Sequence, residues 1–357
     1  MSQRHITYGT HRHHLSPEPK PGPIFLPSFT LSTVLAKCWS RTESNDEERQ
    51  SLISPTPPST VPGKYGSCAQ ILHYGSHSSV RLYVRKGSAT KQLHVIKVFR
   101  HSSDPLIKAI QQFEESLSSS VSHPNLLKTI DIFQNDRRET CLVTQYCDGG
   151  DLNALLATAD RVLASQEADC FFKQIVRGVS FLHDNGIAHR NLRTENILLT
   201  SRGAVKIADF GSATWVHSDD SRSSAIHLHL SALGSPPRKL VGSLPYLAPE
   251  EFGAEGALDY RAGDIWAVGI VYLAMRCGRL LWKAACAEED ARFAEYVHGR
   301  KSCDGFAVIE RLGEMCCRNV IYAMLHPDPG KRIRAADALR SEWIYDVLVC
   351  DAGENGR

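Results

Sequence analysis

From Tyr65 onward the chain alternates apolar and polar positions with a period of two, and later changes to a helical period. Ala69-Gln70-Ile71-Leu72 and Val80-Arg81-Leu82-Tyr83-Val84 read as two strands around a small-residue turn, and His94-Val95-Ile96-Lys97-Val98-Phe99 as a third. A helix follows, with Ser103 as N-cap, Pro105 in the first turn, and Leu106, Ile110, Phe113 and Leu117 in one stripe. Residues 126–134 and 139–145 predict two more strands. From Asp151 the pattern is mostly helical, interrupted by residues 197–199 and 205–208, a hairpin turning at Ser201-Arg202-Gly203. The longest apolar run, residues 265–275, predicts a buried helix; spanning a bilayer takes about 20 residues. A strand-rich first part and a helical second part predict an α+β chain of two lobes, and no internal repeat is present.

Composition adds a boundary. Residues 1–63 hold nine of the 17 prolines and few sustained apolar patterns, so they are expected to be a disordered tail. The folded domain is placed at 64–348, divided into lobes at 64–146 and 147–348, with 349–357 as a C-terminal tail. His11-Arg12-His13-His14 has metal-ligating chemistry, but its surroundings favour a solvated stretch of tail. Ser16-Pro17, Ser54-Pro55 and Thr56-Pro57 are candidate proline-directed phosphorylation sites. The net charge of +2 argues against nucleic acid or an anionic membrane as principal partner. Eleven irregularly spaced cysteines and no secretory apolar region fit reduced thiols in a cytoplasmic compartment, and Cys316-Cys317 lacks zinc spacing. A leader rich in basic residues would fit a first acid as late as Glu18, but the segment has no amphipathic apolar face. Neither Gly after Met1 nor a C-terminal prenylation box is present, so lipid anchoring by those routes is not expected.

His189-Arg190-Asn191-Leu192-Arg193-Thr194-Glu195-Asn196 resembles the catalytic loop of protein kinases, H-R-D-x-x-x-x-N, with an amide in place of the acid. Further matches fall in order. Lys97 stands on the third strand, and Glu114 lies on the next helix about 70° from the centre of its apolar stripe, with Glu115 nearly opposite. Asp209-Phe210-Gly211 follows the hairpin, and Ala248-Pro249-Glu250 comes later. The resemblance implies a bilobal protein kinase fold: a small antiparallel-sheet lobe plus one helix, and a large, mainly helical lobe. It assigns Gly75, Val80, Lys97, Glu114, Gln145, Cys147 and Asp151 to ATP. Within that set Lys97 meets the α- and β-phosphates, Gln145-Tyr146-Cys147 forms the hinge, and Asp151 meets a ribose hydroxyl. Asn196 and Asp209 are assigned to Mg²⁺, whose preference for hard oxygen ligands they suit. Glu250 with Arg332 implies a buried ion pair, and Asp264 a support for the catalytic loop. Residues 272–350, including Leu281-Trp282, Cys317-Arg318-Asn319-Val320-Ile321-Tyr322 and Ser341-Glu342-Trp343, resemble the fungal halotolerance-type serine/threonine kinases. That likeness covers about residues 65 to 354. It implies fungal cytosolic signalling linked to nutrient and potassium transporters at the plasma membrane.

Three departures bear on chemistry. Asn191 can accept a hydrogen bond but cannot take a substrate proton near neutral pH. Where the family has G-x-G-x-x-G-x-V this chain has His73-Tyr74-Gly75-Ser76-His77-Ser78-Ser79-Val80, so side chains replace two glycines that allow positive φ and close approach to phosphates. Arg193 replaces the lysine that contacts the transferred phosphate. Losing a positioned base costs about 10²–10⁴ in rate. The favoured reading is a pseudokinase or weakly active kinase that binds ATP and engages a protein substrate or partner kinase. The alternatives are an active Ser/Thr kinase and a nucleotide-independent scaffold. Ser243 resembles a substrate-contacting hydroxyl residue. The stretch from Ser218 to Ser235 resembles an activation segment, where a phosphate would meet Arg190.

Overall fold

The computed structural model describes residues 11, 13, 15, 61, 63–86, 91–158, 162–216, 242–253, 258–302 and 304–357. The Ser218–Ser235 stretch and the Ser-Pro and Thr-Pro dipeptides lie outside the described residues. Five strands form the first lobe: β1 (Ser67–Tyr74), β2 (Ser78–Lys86), β3 (Lys91–Phe99), β4 (Thr129–Gln134) and β5 (Thr140–Gln145). They make one antiparallel sheet in the order β1-β2-β3-β5-β4. β3 is central, so Lys97 sits between Val80 on one side and Leu142 on the other. Tyr65, Tyr83, Ile96, Val98, Cys141 and Val143 form a small core on one face of this sheet.

Helix α1 (Pro105–Ser120) crosses from β3 to β4. Its buried Phe113 and Leu117 pack with Leu126 and Phe210 in the core of the second lobe, not with the sheet core. Burying each contributes about 1.5–3 kcal/mol, and this fixes the rotation of α1 about its axis. The expected stripe is therefore half right: Phe113 and Leu117 are buried, while Leu106 and Ile110 are only partly so. The N-cap is Asp104, not Ser103. Its carboxylate accepts from Leu106 N at 2.8 Å, because Pro105 itself takes the first helical position. Strand β4 begins at Thr129 and not at 126. Leu127 N donates to Ile207 O and Ile207 N to Asn125 O, both at 2.9 Å, which draws 125–127 away to the second lobe.

The second lobe is mainly helical: α2 (Leu152–Ala157), α3 (Ser165–Asp184), α4 (Tyr260–Cys277), α5 (Ala291–Ser302), α6 (Ala307–Glu310), α7 (Met315–Met324), α8 (Ala335–Leu339), α9 (Glu342–Asp346) and α10 (Asp351–Asn355). Between α3 and α4 lie β6 (Ile187–Ala188), β7 (Ile197–Leu199), β8 (Val205–Ile207) and β9 (Thr214–Trp215). β7 pairs with β8 in the expected hairpin, and β6 with β9. Every residue from 264 to 275 of α4 is buried, as its unbroken apolar run predicts, and Gly278 ends it in the left-handed conformation. No helix among the described residues is long and apolar enough to cross a membrane.

Two tail expectations need correction at particular residues. His13 and Leu15 are buried against the second lobe, where Leu15 N donates to Ser201 O at 3.0 Å. Residues 349–357 carry α10, with Cys350 and Gly353 buried against α3. Local composition could not show either contact, because both depend on a surface built far away in sequence.

Candidate active site

Lys97 reaches across from β3 to α1 and the Asp-Phe-Gly turn. Its Nζ pairs with Glu114 Oε1 and lies 3.1 Å from Asp209 Oδ1. Burial alone would discharge this lysine, but the two carboxylates outweigh it and hold its pKa above the ordinary value. Burial also disfavours charge on Asp209; the Lys97 ammonium and its hydrogen bond prevail, so the carboxyl is held below the usual range. For Glu114 burial is the largest influence and pushes its pKa up against the pull of Lys97. Gly211 has a steric reason: a Cβ there would stand 2.9 Å from Glu114 Oε2. A side chain there would push the Glu114 carboxylate, which Lys97 holds, out of place. Phe210 is buried and meets His189 edge-on, with ring centroids 5.5 Å apart.

The catalytic-loop residues hang from α4. Asp264, buried, accepts from His189 N at 2.7 Å and Arg190 N at 2.8 Å, and His183 Nε2 lies 3.0 Å away. Arg190 and Asp209 adopt positive φ, 61° and 66°, which costs about 1–2 kcal/mol for a side-chain-bearing residue. The Asp264 contacts hold the first of these strained residues in place. His189 is fully buried, which lowers its pKa, and its two bonds agree with a neutral ring. Nε2–H donates to Ala208 O at 3.1 Å, and Nδ1 accepts from Asn191 N at 3.3 Å.

Asn191 is thereby aimed at Asp209, with its Nδ2 donating to Asp209 Oδ2 at 3.2 Å. Asn196 Nδ2 donates to the Asn191 carbonyl at 2.8 Å, which turns Asn196 Oδ1 outward as an acceptor. An ionised Asp209 and an Asn196 carbonyl oxygen together suit Mg²⁺. Arg193 is engaged elsewhere. Glu195 holds its guanidinium in a fork, at 3.0 Å from Nε and 2.9 Å from Nη2. A transferred phosphate would have to compete with that carboxylate.

The remaining predicted residues divide. Val80 pairs with Lys97 across β2 and β3, and Gly75 lies in the turn between β1 and β2, yet no residue from 73 to 80 has positive φ. The turn is closed instead by Gly75 N donating to Ser78 O at 2.9 Å. The backbone argument against His73 and Ser78 therefore fails, and only their bulk remains. His73 Nε2 would stand 3.2 Å from a Cβ at Gly75, so its ring covers the turn. Gln145 ends β5, and buried Cys147, whose thiol burial pushes up to about 12, accepts at its carbonyl from Gly150 N. Asp151 caps α2 by accepting from Ala154 N at 2.8 Å, a structural duty beside its assigned ribose contact. Ser243 and Asn191 line one small pocket.

Sequence reasoning missed Glu195 and Glu251. The Arg-x-Glu spacing was a usable signal for the first. Glu251 lines the Asn191 pocket, and burial raises its carboxyl to about 7. Nothing in the sequence separates it from neighbouring Glu250. That residue forms the expected pair with buried Arg332, at 2.7 and 2.9 Å.

Comparison with known proteins agrees with this geometry. The serine/threonine-protein kinase hal4 of Schizosaccharomyces pombe is 39% identical over 300 residues, 82% of this chain and 45% of the relative. HAL4/SAT4 of Saccharomyces cerevisiae is 40% identical over 299 residues, 81% and 47%. HAL5 of Candida glabrata is 34% identical over 239 residues, 64% and 28%. The chain spans less than half the length of these curated relatives. The family model for the protein kinase domain matches residues 68–344, and with these fungal serine/threonine kinases as relatives the chain belongs to the protein kinase family.

Proposed function

We propose that this chain binds Mg·ATP as a pseudokinase or weakly active member of its family, engaging a protein substrate or partner kinase in the cytoplasm. The observation that carries this reading is the Asn191–Asp209 contact at 3.2 Å. An amide occupies the base position and directs its nitrogen at the metal-binding carboxylate. Its oxygen remains able to orient a hydroxyl, but it cannot remove the proton. A hydroxyl attacking the γ-phosphorus must then release its proton to water or to a phosphate oxygen. The lost base corresponds to about 10²–10⁴ in rate, or roughly 3–5 kcal/mol in the barrier.

The residues that would hold nucleotide and metal support binding. Lys97 is charged and positioned by Glu114, Asp209 is ionised, and Asn196 offers an oxygen. When bound, Mg²⁺ neutralises charge on the phosphates. Lys97 steadies them, and the Asp264-supported loop presents Asn191. A place in fungal signalling to plasma-membrane ion or nutrient transporters follows from the likeness to the halotolerance-type kinases. A thermal shift with Mg·ATP, absent in Lys97→Ala, tests the binding. γ-Phosphate transfer by the purified chain beside Asn191→Asp and Asp209→Ala tests the chemistry. Robust transfer by the unmutated chain that Asp209→Ala abolishes would establish an active Ser/Thr kinase instead.

A further inference from the structure

We infer that His11, His13, Cys170 and Cys350 form a zinc site that clasps an N-terminal segment and α10 to α3, on residues outside the ATP cleft. His11 and His13 are two apart, the spacing that places side chains on one side of an extended chain. The segment is seated by specific contacts. The His13 ring packs on Phe171 at 4.8 Å and occupies the space where Gly203 lacks a Cβ, while Leu15 is buried beside Ser201.

One donor atom each from His11, His13 and Cys170 lie within 4.8 Å of one another. Cys350 borders the set: its backbone N donates to Cys170 Sγ at 3.4 Å, its own Sγ lies 3.6 Å from Gly203 O, and it lines the same cavity as both histidines, so a rotation of its side chain would supply the fourth ligand. Both cysteines are buried. Ordinary tetrahedral zinc bonds place ligand atoms about 3.3–3.8 Å apart, so small side-chain rotations would close this cluster around an ion. Two nitrogens are the independent mark of a ligand. Nε2 of His11 and Nε2 of His13 are buried with no hydrogen-bond partner among the described residues, although His13 itself is only 8% exposed. Orphaned polar atoms of this kind are costly, and a metal would satisfy both.

The surroundings fit as well. Glu167 Oε1 lies 3.5 Å from His13 Nδ1, the carboxylate–histidine relation that orients a ligating ring and leaves Nε2 for the metal. Gly353 N donates to Cys350 Sγ at 3.3 Å, and the thiol proton, which faces Gly203 O at 3.6 Å, would be released when a metal binds. Two imidazoles and two thiolates select zinc over magnesium or calcium. Four protein ligands leave no open position, so the site is structural. It would tie the N-terminal segment to the turn of the β7–β8 hairpin, whose strands lie between Asn196 and Asp209.

Metal content of the full chain tests this. The protein is purified under reducing conditions, incubated with ZnCl₂, desalted and measured by inductively coupled plasma mass spectrometry. The parent and a Cys286→Ser/Cys316→Ser control should each retain about one zinc per chain, the number a four-ligand site holds. His11→Ala/His13→Ala, which leaves the core cysteines untouched, should lose it at least about tenfold while circular dichroism shows unchanged helicity. Cys350→Ser should behave likewise. Co²⁺ in place of zinc should give the visible bands of a tetrahedral site with thiolate charge transfer in the parent and the Cys286→Ser/Cys316→Ser control, and not in the histidine or Cys350 variants. A parent without zinc, a double-histidine variant that keeps it, or a Cys170–Cys350 disulfide formed in the presence of zinc would each overturn the inference.

Discussion

The two sides of the cleft are built on different principles. On the nucleotide side, Lys97, Glu114 and Asp209 form a charged set in which each member's ionisation depends on the others. On the hydroxyl side the matching charge is gone, and Asn191 donates to the carboxylate that an acid there would repel. Two carboxylates about 3 Å apart raise each other's pKa unless a cation intervenes. The amide therefore relieves a conflict as well as removing a base. The replacement leaves the loop's backbone path in place, because Asp264 holds it through backbone N–H groups that do not depend on residue 191's side chain.

Asn191→Asp should give the largest effect and attacks this contrast directly. Transfer of the γ-phosphate is expected to rise about 10²–10⁴ above the parent. Without Mg²⁺ the same variant should melt below the parent, because the new carboxylate faces Asp209, and Mg·ATP should restore much of the difference. Equal transfer rates in the two proteins would show that the hydroxyl side was never impaired.

Two ion pairs sharpen the comparison next. Arg332→Ala leaves Glu250 facing a buried gap and should cost about 3–5 kcal/mol of stability in denaturant unfolding, with Mg·ATP affinity little changed in the protein that stays folded. Lys97→Met should cost less, about 1–3 kcal/mol, because Asp209 borders the open cleft and Glu114 can take a proton; it should abolish the nucleotide-induced thermal shift. On the proposed reading the same type of contact is architectural at one place and functional at the other. Reversed losses would refute that division.

This difference also marks what the sequence could disclose. The strands around Lys97 and the run buried in α4 follow from period and length alone. So does the ranking of Glu114 over Glu115, since only one of them lies near the buried stripe. The site geometry was legible wherever a motif dictates a backbone path, as at Asp209 and Asn196. It was not legible where a side chain chooses between partners. Arg193 turns to Glu195 and Asp151 caps a helix, each only one of several partners its spacing allows, and residues 125–127 leave β4 for β8 under the pull of tertiary neighbours. His13 is the plainest case. Its polar, proline-rich surroundings predict solvent, and only the assembled surface of Phe171, Gly203 and Glu167 makes burial favourable.

Glu251 offers a pH test on the hydroxyl side. Burial raises its carboxyl from 4.5 to about 7, so between those values the folded chain holds a proton that the unfolded chain releases. This contribution favours folding at low pH and is lost as pH rises through about 7. In the parent it is opposed by His123, which burial holds down to about 4 and which therefore disfavours folding as pH falls below 6.5. The difference between parent and Glu251→Gln isolates the carboxyl. Relative to the variant, the parent should lose about 2–4 kcal/mol between pH 4.5 and 8 in urea unfolding. A flat difference would mean that Glu251 is ionised in the fold and that the pocket beside Asn191 already carries a negative charge.

The smallest effect is expected where the sequence suggests a large one. Restoring glycines with His73→Gly/Ser78→Gly returns the family's loop pattern, yet neither position has a positive φ to relieve, and Gly75 N–H already closes the turn on Ser78 O. What the change removes is the His73 ring over Gly75, and that exposed ring can swing aside. Mg·ATP affinity measured by calorimetry should therefore change by less than about threefold, a difference under about 1 kcal/mol. Stability should fall by about 0.5–1 kcal/mol per glycine, because both residues lie at strand ends. A gain of tenfold or more in affinity would move the main defect from Asn191 to the phosphate loop, and the nucleotide side could no longer be regarded as intact.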